Sequence, residues 1–534
     1  VNVLFIMCDQ LRWDHLGCSG HPWLKTPNID ALAARGVRFD RAFVNSGVCG
    51  PSRMSYYTGR YPSSHGATWN RVPLPVGEVT LGEYLRGGGR RLVLAGKTHV
   101  MVDEGGLGRL QIEGDSELGT LLSRGGFEEI DRYDGHHPPG EESNYPAFLR
   151  RHGYDSVDPW SDFVISGVDA QGKVASGWHM RNVRLPARVK AEHSETAFMT
   201  DQALGFMQRM GDEPWVLHLS YVKPHWPYMA PAPYHALYTP DQCLPVVRSD
   251  RELIDQHPVV AAYRQSEESR SFQMDECIRT VRPAYQGLIH QLDDELGRLF
   301  DYMDKRGLFG NTLVLFTSDH GDFLGDHWLG EKELFHDTVQ RVPFIVVDPA
   351  AAADAARGSV EQGFVEGVDV VPTILDALGL EIPSHRVEGT SLLPLLRGAG
   401  AADAQGDAER AGGNSSQAPG RKLAVYSELD YSFKEARLRL GRSVDQCYAW
   451  SVRTDRWRYV YWLDAPEQLF DLQSDPDEFQ DLGRDDGSAQ VRRELRDQLL
   501  DWLARRKRRT SVSHAFVESR TNRHKQAGVF FGQW

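Results

Sequence analysis

Residues 48–62 read VCGPSRMSYYTGRYP. Pro51 is excluded from a helix interior but favoured in a first turn, so Ser52 to Tyr57 read as helical and Gly59 as the stop. That places Cys49 at a helix N-terminus, where backbone N–H groups and the helix dipole favour an anion. A cysteine there would have a depressed pKa and could act as a thiolate nucleophile. Beside a metal it could be a ligand instead. Neither role accounts for the Pro-Ser-Arg that follows it.

The rest of the chain sets bounds. Its 534 residues, 41% hydrophobic and 25% charged, describe a globular chain with a large core and room for several domains. Apolar runs such as Val3–Met7 are far too short to span a bilayer. The net charge of -14 argues against nucleic acid as a partner and requires local positive charge to draw in any anionic substrate. Six cysteines without metal-type spacing read as reduced thiols. A cytoplasmic protein is expected, although a signal peptide trimmed before Val1 would fit as well.

Short apolar runs alternate with amphipathic stretches. Strands are expected at Val1–Cys8, Arg91–Ala95, Trp215–Tyr221, Thr312–Thr317 and Pro343–Val347. A helix is expected at Ile29–Ala34 after Pro27-Asn28. Leu288, Leu292, Leu296, Leu299 and Met303 mark one face of a longer helix ending near Gly307. This alternation implies an α/β layered fold with a mostly parallel sheet. Residues 399–421, rich in Gly, Ala and Ser, read as a mobile loop. Beyond it, strands at Ala424–Glu428, Ser451–Arg453 and Trp457–Trp462, with a helix at Ala489–Arg508, form a smaller antiparallel unit. The polar tail ends VFFGQW, a candidate dock for a partner subunit. The domain reading is 1–398, the loop 399–421, and 422–534.

Four expected strands end in polar clusters: Asp9-Gln10, Gly96-Lys97-Thr98-His99, Lys223-Pro224-His225-Trp226-Pro227 and Ser318-Asp319-His320-Gly321-Asp322. Open α/β sheets bind ligands at such ends, although Asp and Gly are also common turn residues there. Asp9, Gln10, Asp319 and His320 would make a cation site of two carboxylates, an amide oxygen and an imidazole. Oxygen ligands suit Ca²⁺ or Mg²⁺; the nitrogen tilts the choice towards Mn²⁺. Turn capping by Asp9 and a polar Asp319-His320 pair are the alternative.

Cys49-Gly-Pro51-Ser52-Arg53, four residues, then Thr58-Gly59-Arg60 resembles the type I sulfatase signature CxPSRxxxxTGR, which fixes seven positions in twelve. Residues 25–43 (KTPNIDALAARGVRFDRAF) resemble the opening helix and strand of that family, 311–327 (NTLVLFTSDHGDFLGDH) its second metal segment, and 387–396 and 469–482 its later landmarks. The resemblance implies an alkaline-phosphatase-like sandwich with a large, mostly parallel sheet flanked by helices, plus a smaller C-terminal antiparallel subdomain. It implies that a formylglycine-generating enzyme oxidises Cys49 to formylglycine. It also implies one divalent metal ion, Mn²⁺ or Ca²⁺, on Asp9, Gln10, Asp319 and His320.

The roles carried over are implied in the same way. Arg53 holds the nucleophile or the metal's carboxylates, and Lys97 and Lys332 neutralise the transferred oxyanion. His99 is the base that breaks the covalent intermediate, His225 serves the leaving oxygen, and Asn70 contacts substrate. Asp9-Gln10, Asp319-His320, CGP and DFLGDHWLGEK (322–332) resemble the phosphonate monoester hydrolase and phosphodiesterase branch. GKTH (96–99) instead matches the sulfatase GKxH pattern. The expectation is an arylsulfatase-like hydrolase of small anionic esters, promiscuous towards phosphonate monoesters and phosphodiesters, with one of these as the alternative main activity, and assembled as a dimer or tetramer. A same-fold metal phosphatase with an unmodified nucleophile, or a non-catalytic binding protein, are the rivals. The isolated His136-His137 offers no convincing second metal site.

Overall fold

The computed structural model describes residues 1–135, 138–140, 143–398 and 422–529. In chain order its first strands are β1 (Asn2–Asp9), β2 (Val37–Phe43), β3 (Leu92–Gly96), β4 (Phe127–Arg132), and the short hairpin β5 (Ser166–Val168) and β6 (Val174–Ser176). There follow β7 (Val216–Pro224), β8 (Thr312–Ser318), β9 (Arg341–Val342), β10 (Phe344–Val347) and β11 (Val360–Glu366). The large sheet runs β11-β2-β10-β8-β1-β7-β3-β4, with β9 paired to β2. Most pairs are parallel; β10 runs antiparallel to β8 and β2.

Every residue of β1, β7 and β8 is buried. That is what continuous apolar runs demand, because parallel strands need helices on both faces. Alternate residues of β1 feed two cores. Leu4, Ile6 and Cys8 pack with the Asp275–Lys305 helix through the expected Leu288, Leu292, Leu296, Leu299 and Met303. Val3, Phe5 and Met7 pack with the Cys49–Thr58 and Val370–Ala377 helices. All five expected strands of this sheet are present. Its two edges, β4 (FEEIDR) and β11 (VEQGFVE), were not foreseen from residue pattern. Edge strands carry charge, which dilutes the apolar signal.

Beyond residue 421, β12 (Ala424–Asp430), β13 (Tyr448–Thr454), β14 (Trp457–Trp462) and β15 (Gln468–Asp471) form an antiparallel sheet. The Ala489–Ala504 helix packs Leu495, Leu499 and Trp502 into the core on this sheet. The helix stops short of the expected Arg508 because its continuation is held by Glu388 and Arg60. The N–H of Lys507 donates to Glu388 Oε1 at 2.8 Å, and its carbonyl accepts from Arg60 Nη2 at 3.2 Å. The small sheet is fastened by buried polar groups. Lys422 Nζ bridges Glu366 at 2.6 Å and Asp369 at 2.8 Å. Glu428 accepts from the N–H and hydroxyl of Ser63 and from Trp450 Nε1.

The expected loop 399–421, His136-His137 and the aromatic end from 530 lie outside the described residues. Among the described residues no helix is long and apolar enough to cross a membrane.

Burial pushes the Glu428 carboxyl up to about 7, against the hydrogen bonds from Ser63. A carboxyl raised on folding stabilises in its protonated form. Its contribution is complete below the unfolded value of 4.5 and is lost as pH rises through about 7. Thermal unfolding from pH 5 to 8 should therefore fall more steeply for the native protein than for Glu428→Gln, by up to about 3 kcal/mol. Equal slopes would show that Glu428 does not titrate in that window.

Candidate active site

The ends of β1, β3, β7 and β8 converge on the N-terminus of the Cys49–Thr58 helix, all ten residues of which are buried. Ser52 anchors that helix by donating to the carbonyl of Asp319 at 2.6 Å. Asn70 Oδ1 accepts from the N–H of Gly50 at 2.7 Å. At the other end Gly59 adopts φ 67° as the left-handed cap, a conformation that glycine adopts without steric cost. Arg60 then reaches the carbonyls of Ser64, Arg386 and Lys507. The second half of the motif thus holds the helix in place and joins it to the C-terminal unit.

Arg53 is the hub. Its Nε lies 2.8 Å from Asp319 Oδ2 and its Nη2 3.1 Å from Asp9 Oδ2. Its Nη1 donates to Ser220 Oγ at 2.8 Å and to the carbonyl of Lys97 at 3.0 Å. Lys97 Nζ sits 2.5 Å from Asp9 Oδ2. None of these four charged side chains is exposed. Burial opposes the charge on Asp9, but Lys97, His225 and Arg53 outweigh it and hold the carboxyl well below its usual range.

Cys49 Sγ lies 3.1 Å from His320 Nε2, 3.1 Å from Lys332 Nζ and 3.9 Å from Asp9 Oδ1. The acidic thiol expected at a helix N-terminus is not found. Burial and the Asp9 charge push it up to about 11, over the opposing pull of Lys332 and Lys97. Lys332 Nζ also approaches His225 Nε2 at 3.2 Å and Gln10 Oε1 at 3.5 Å. Burial works against its charge, yet Cys49 and Glu331 outweigh that and raise it above the ordinary lysine value.

Ligand atoms of Asp9, Cys49, Asp319 and His320 lie within 4.8 Å of one another, all buried. Two carboxylates, an imidazole and a sulfur form a donor set that fits a divalent metal ion. His320 Nδ1 faces the carbonyl of Gly321 at 2.8 Å, which assigns its proton there and turns the Nε2 lone pair towards the cluster. Gln10 is oriented similarly. Its Nε2 donates to Asp322 Oδ2 at 2.6 Å, leaving Oε1 towards Lys332 at 3.5 Å. Asp322, which also accepts from Tyr228 at 2.6 Å, is pushed up to about 6 by burial.

The remaining predicted residues line the same place. His225 directs Nδ1 to the carbonyl of Trp226 at 2.6 Å. Lys223 steadies that turn, its Nζ donating to the carbonyls of His225 and Pro227 while paired with Glu195. His99 is partly buried, and the N–H groups of Thr98 and His99 both donate to Asp134. Burial, Lys97 and Arg53 drive the His99 imidazole well below its ordinary pKa, so it is neutral. Sequence reasoning gave no role to Ser220, Asp322, Tyr228 or Lys223. Asp322 stood in a quoted cluster, and Ser220 is a polar residue inside an apolar strand. Tyr228 had no local signal at all.

The sulfatase family model matches residues 1–107 and 119–380. The multifunctional alkaline phosphatase superfamily protein PehA of Trinickia caryophylli is 32% identical over 94% of this chain and 95% of its own. An arylsulfatase of Clostridium perfringens is 27% identical, covering 74% of this chain and 78% of its own. The phosphonate monoester hydrolase SpPMH of Silicibacter pomeroyi superposes with a TM-score of 0.81 at 28% identity, over 96% of this chain and 98% of its own. The fold is that of the alkaline-phosphatase-like ester hydrolases. Within that class, the chain belongs to the sulfatase family.

Arg53→Met would leave two buried carboxylates short of a partner, which costs about 3–5 kcal/mol. The denaturant midpoint should fall accordingly. An unchanged midpoint would mean that Lys97 alone neutralises the pair.

Proposed function

We propose that the protein is a formylglycine-dependent hydrolase of singly charged esters, with aryl sulfates leading and phosphonate monoesters and phosphodiesters also accepted. The observation that carries this is the placement of Cys49 Sγ between His320 and Lys332, beside Asp9. Formylglycine at position 49, as its hydrate, has two hydroxyls on one carbon. One would attack sulfur or phosphorus as the bond to the ester alcohol breaks; loss of the other's proton would then break the C–O bond to the transferred group and restore the aldehyde. A serine has one hydroxyl and could not complete the second half.

Asp9, Asp319, His320 and residue 49, with Gln10 Oε1 at hand, would hold a divalent metal, which supplies Lewis acidity and lowers the pKa of a hydroxyl. The chain's own groups do the rest. Lys97 and Lys332 present fixed positive charge where the transferred group gathers negative charge. His225 Nδ1–H is given to the Trp226 carbonyl, so the proton that Nε2 passes to the leaving oxygen comes from the Lys332 ammonium at 3.2 Å. The neutral His99 takes the proton of the second hydroxyl. Asn70, tied to Gly50, is the further polar contact for the substrate in this reading. Residues 49–53 are wholly buried, so a formylglycine-generating enzyme would have to act before the chain folds. Assembly as a homo-oligomer fits this reading but does not enter the chemistry.

A phosphonate monoester hydrolase as the main activity is the second reading, favoured by the solved structure that superposes at a TM-score of 0.81. Lys97 and His99 favour the sulfatase reading, since they match the sulfatase GKxH pattern.

A peptide mass spectrum spanning Cys49 should show the aldehyde, and Cys49→Ser should lower kcat/KM by more than about a hundredfold. Full turnover by wholly unmodified protein would end this reading. Across matched nitrophenyl esters, sulfate should lead phosphonate monoester and phosphodiester, with phosphate monoester poorest. A tenfold lead by phosphonate or diester, about 1.4 kcal/mol in transition-state binding, would make the second reading the right one. A lead by phosphate monoester would refute both.

A further inference from the structure

A cavity of about 790 Å³ opens beside the site. Three of its wall residues are one step from the chemistry. The Trp226 ring lies 4.7 Å from the His225 ring. Tyr228 holds Asp322, which in turn orients Gln10. Glu331 directly precedes Lys332, whose Nζ is 3.1 Å from Cys49 Sγ. Trp226 and Tyr228 thus join the wall of this cavity to the His225 and Gln10 side of the site.

Its chemistry is the inverse of the reaction centre. Around Cys49 the fixed charges include three cations, Arg53, Lys97 and Lys332. The cavity instead presents four carboxylates, Glu267, Glu268, Glu276 and Glu331, against two guanidinium groups, Arg181 and Arg184. Glu268 is shared with Lys434 at 3.3 Å. Beside these carboxylates stands an aromatic corner. The rings of Trp178 and Trp226 meet edge-on at 5.2 Å, and Trp178 is 44% exposed. Indole faces and carboxylates together attract organic cations and repel anions. A ligand pocket of this size selects by such contacts.

We propose that this cavity receives the alcohol portion of the ester and selects leaving groups that carry a positive charge, so that the preferred substrates are zwitterionic, an anionic ester joined to an ammonium group. The proposal rests on the hydrolase reading for its reaction, but the cation site is testable without turnover.

Two measurements separate the two. In the first, intrinsic tryptophan fluorescence is titrated with benzyltrimethylammonium, benzyl alcohol and benzoate. The cation should bind at least tenfold more tightly than the alcohol, and benzoate most weakly. Trp178→Ala and Glu276→Gln should each weaken cation binding several-fold, while Glu276→Gln leaves the alcohol unchanged. In the second, kcat/KM is compared for 3-(trimethylammonio)phenyl sulfate and its uncharged 3-tert-butylphenyl counterpart. Glu276→Gln should lower the first about tenfold and the second less than twofold; comparing variant with native cancels the esters' different intrinsic reactivities. Equal binding of the three probes, or equal effects of Glu276→Gln on both esters, overturns the proposal. Cation binding as described with neither ester hydrolysed would uphold the cavity and refute the hydrolase reading. Hydrolysis of both esters without charge preference would do the reverse.

Discussion

The arrangement of this protein depends on the burial of one guanidinium. Arg53 lies with no exposed surface between Asp9 at the end of β1 and Asp319 just past β8, and its remaining donors reach β7 and the carbonyl of Lys97. Buried carboxylates of this kind are tolerable only when paired and hydrogen-bonded. The fork of Arg53 satisfies both at once and leaves their outer oxygens towards Cys49 and His320. A lysine, a point charge without that planar fork, could not span the same partners. The strand ends, the motif helix and the candidate metal cluster are therefore parts of one electrostatic unit.

Magnitudes decide what Cys49 is in that unit. A helix N-terminus favours an anion by about 0.3–1 kcal/mol. Raising the thiol from 9.0 to about 11 corresponds to about 3 kcal/mol. Burial beside Asp9 thus overrides the dipole, and the N–H of Gly50 is already committed to Asn70. The position does not manufacture a thiolate. It holds one side chain where two carboxylates, an imidazole and an ammonium converge.

Charge is distributed unevenly around this point. The chain is strongly acidic as a whole, at -14, yet the chamber around residue 49 gathers Arg53, Lys97 and Lys332. The neighbouring cavity returns to an excess of carboxylates. Such a contrast over a short distance can orient a substrate before it is held by any single contact. Lys97 pairs with Asp9, Gln10 Oε1 lies 3.5 Å from Lys332, and His320 lies beside Asp319.

Much of this was legible in the residues alone. Apolar runs located β1, β3, β7, β8 and β10 because doubly covered strands must be apolar on both faces. The 48–60 motif named the family because a pattern fixing seven positions in twelve leaves little room for chance, and the four polar strand ends marked the site because parallel strands deliver their carboxyl ends to one rim. The charged edges β4 and β11 escaped because an edge strand needs no continuous apolar run. The acidity of Cys49 was misjudged because desolvation is a property of the folded surroundings, not of a helix position. Only the tertiary structure could recruit Ser220, Tyr228, Asp322 and Lys223, or set Trp178 against Trp226. Those contacts join residues distant along the chain, and their energies depend on burial that no local pattern encodes.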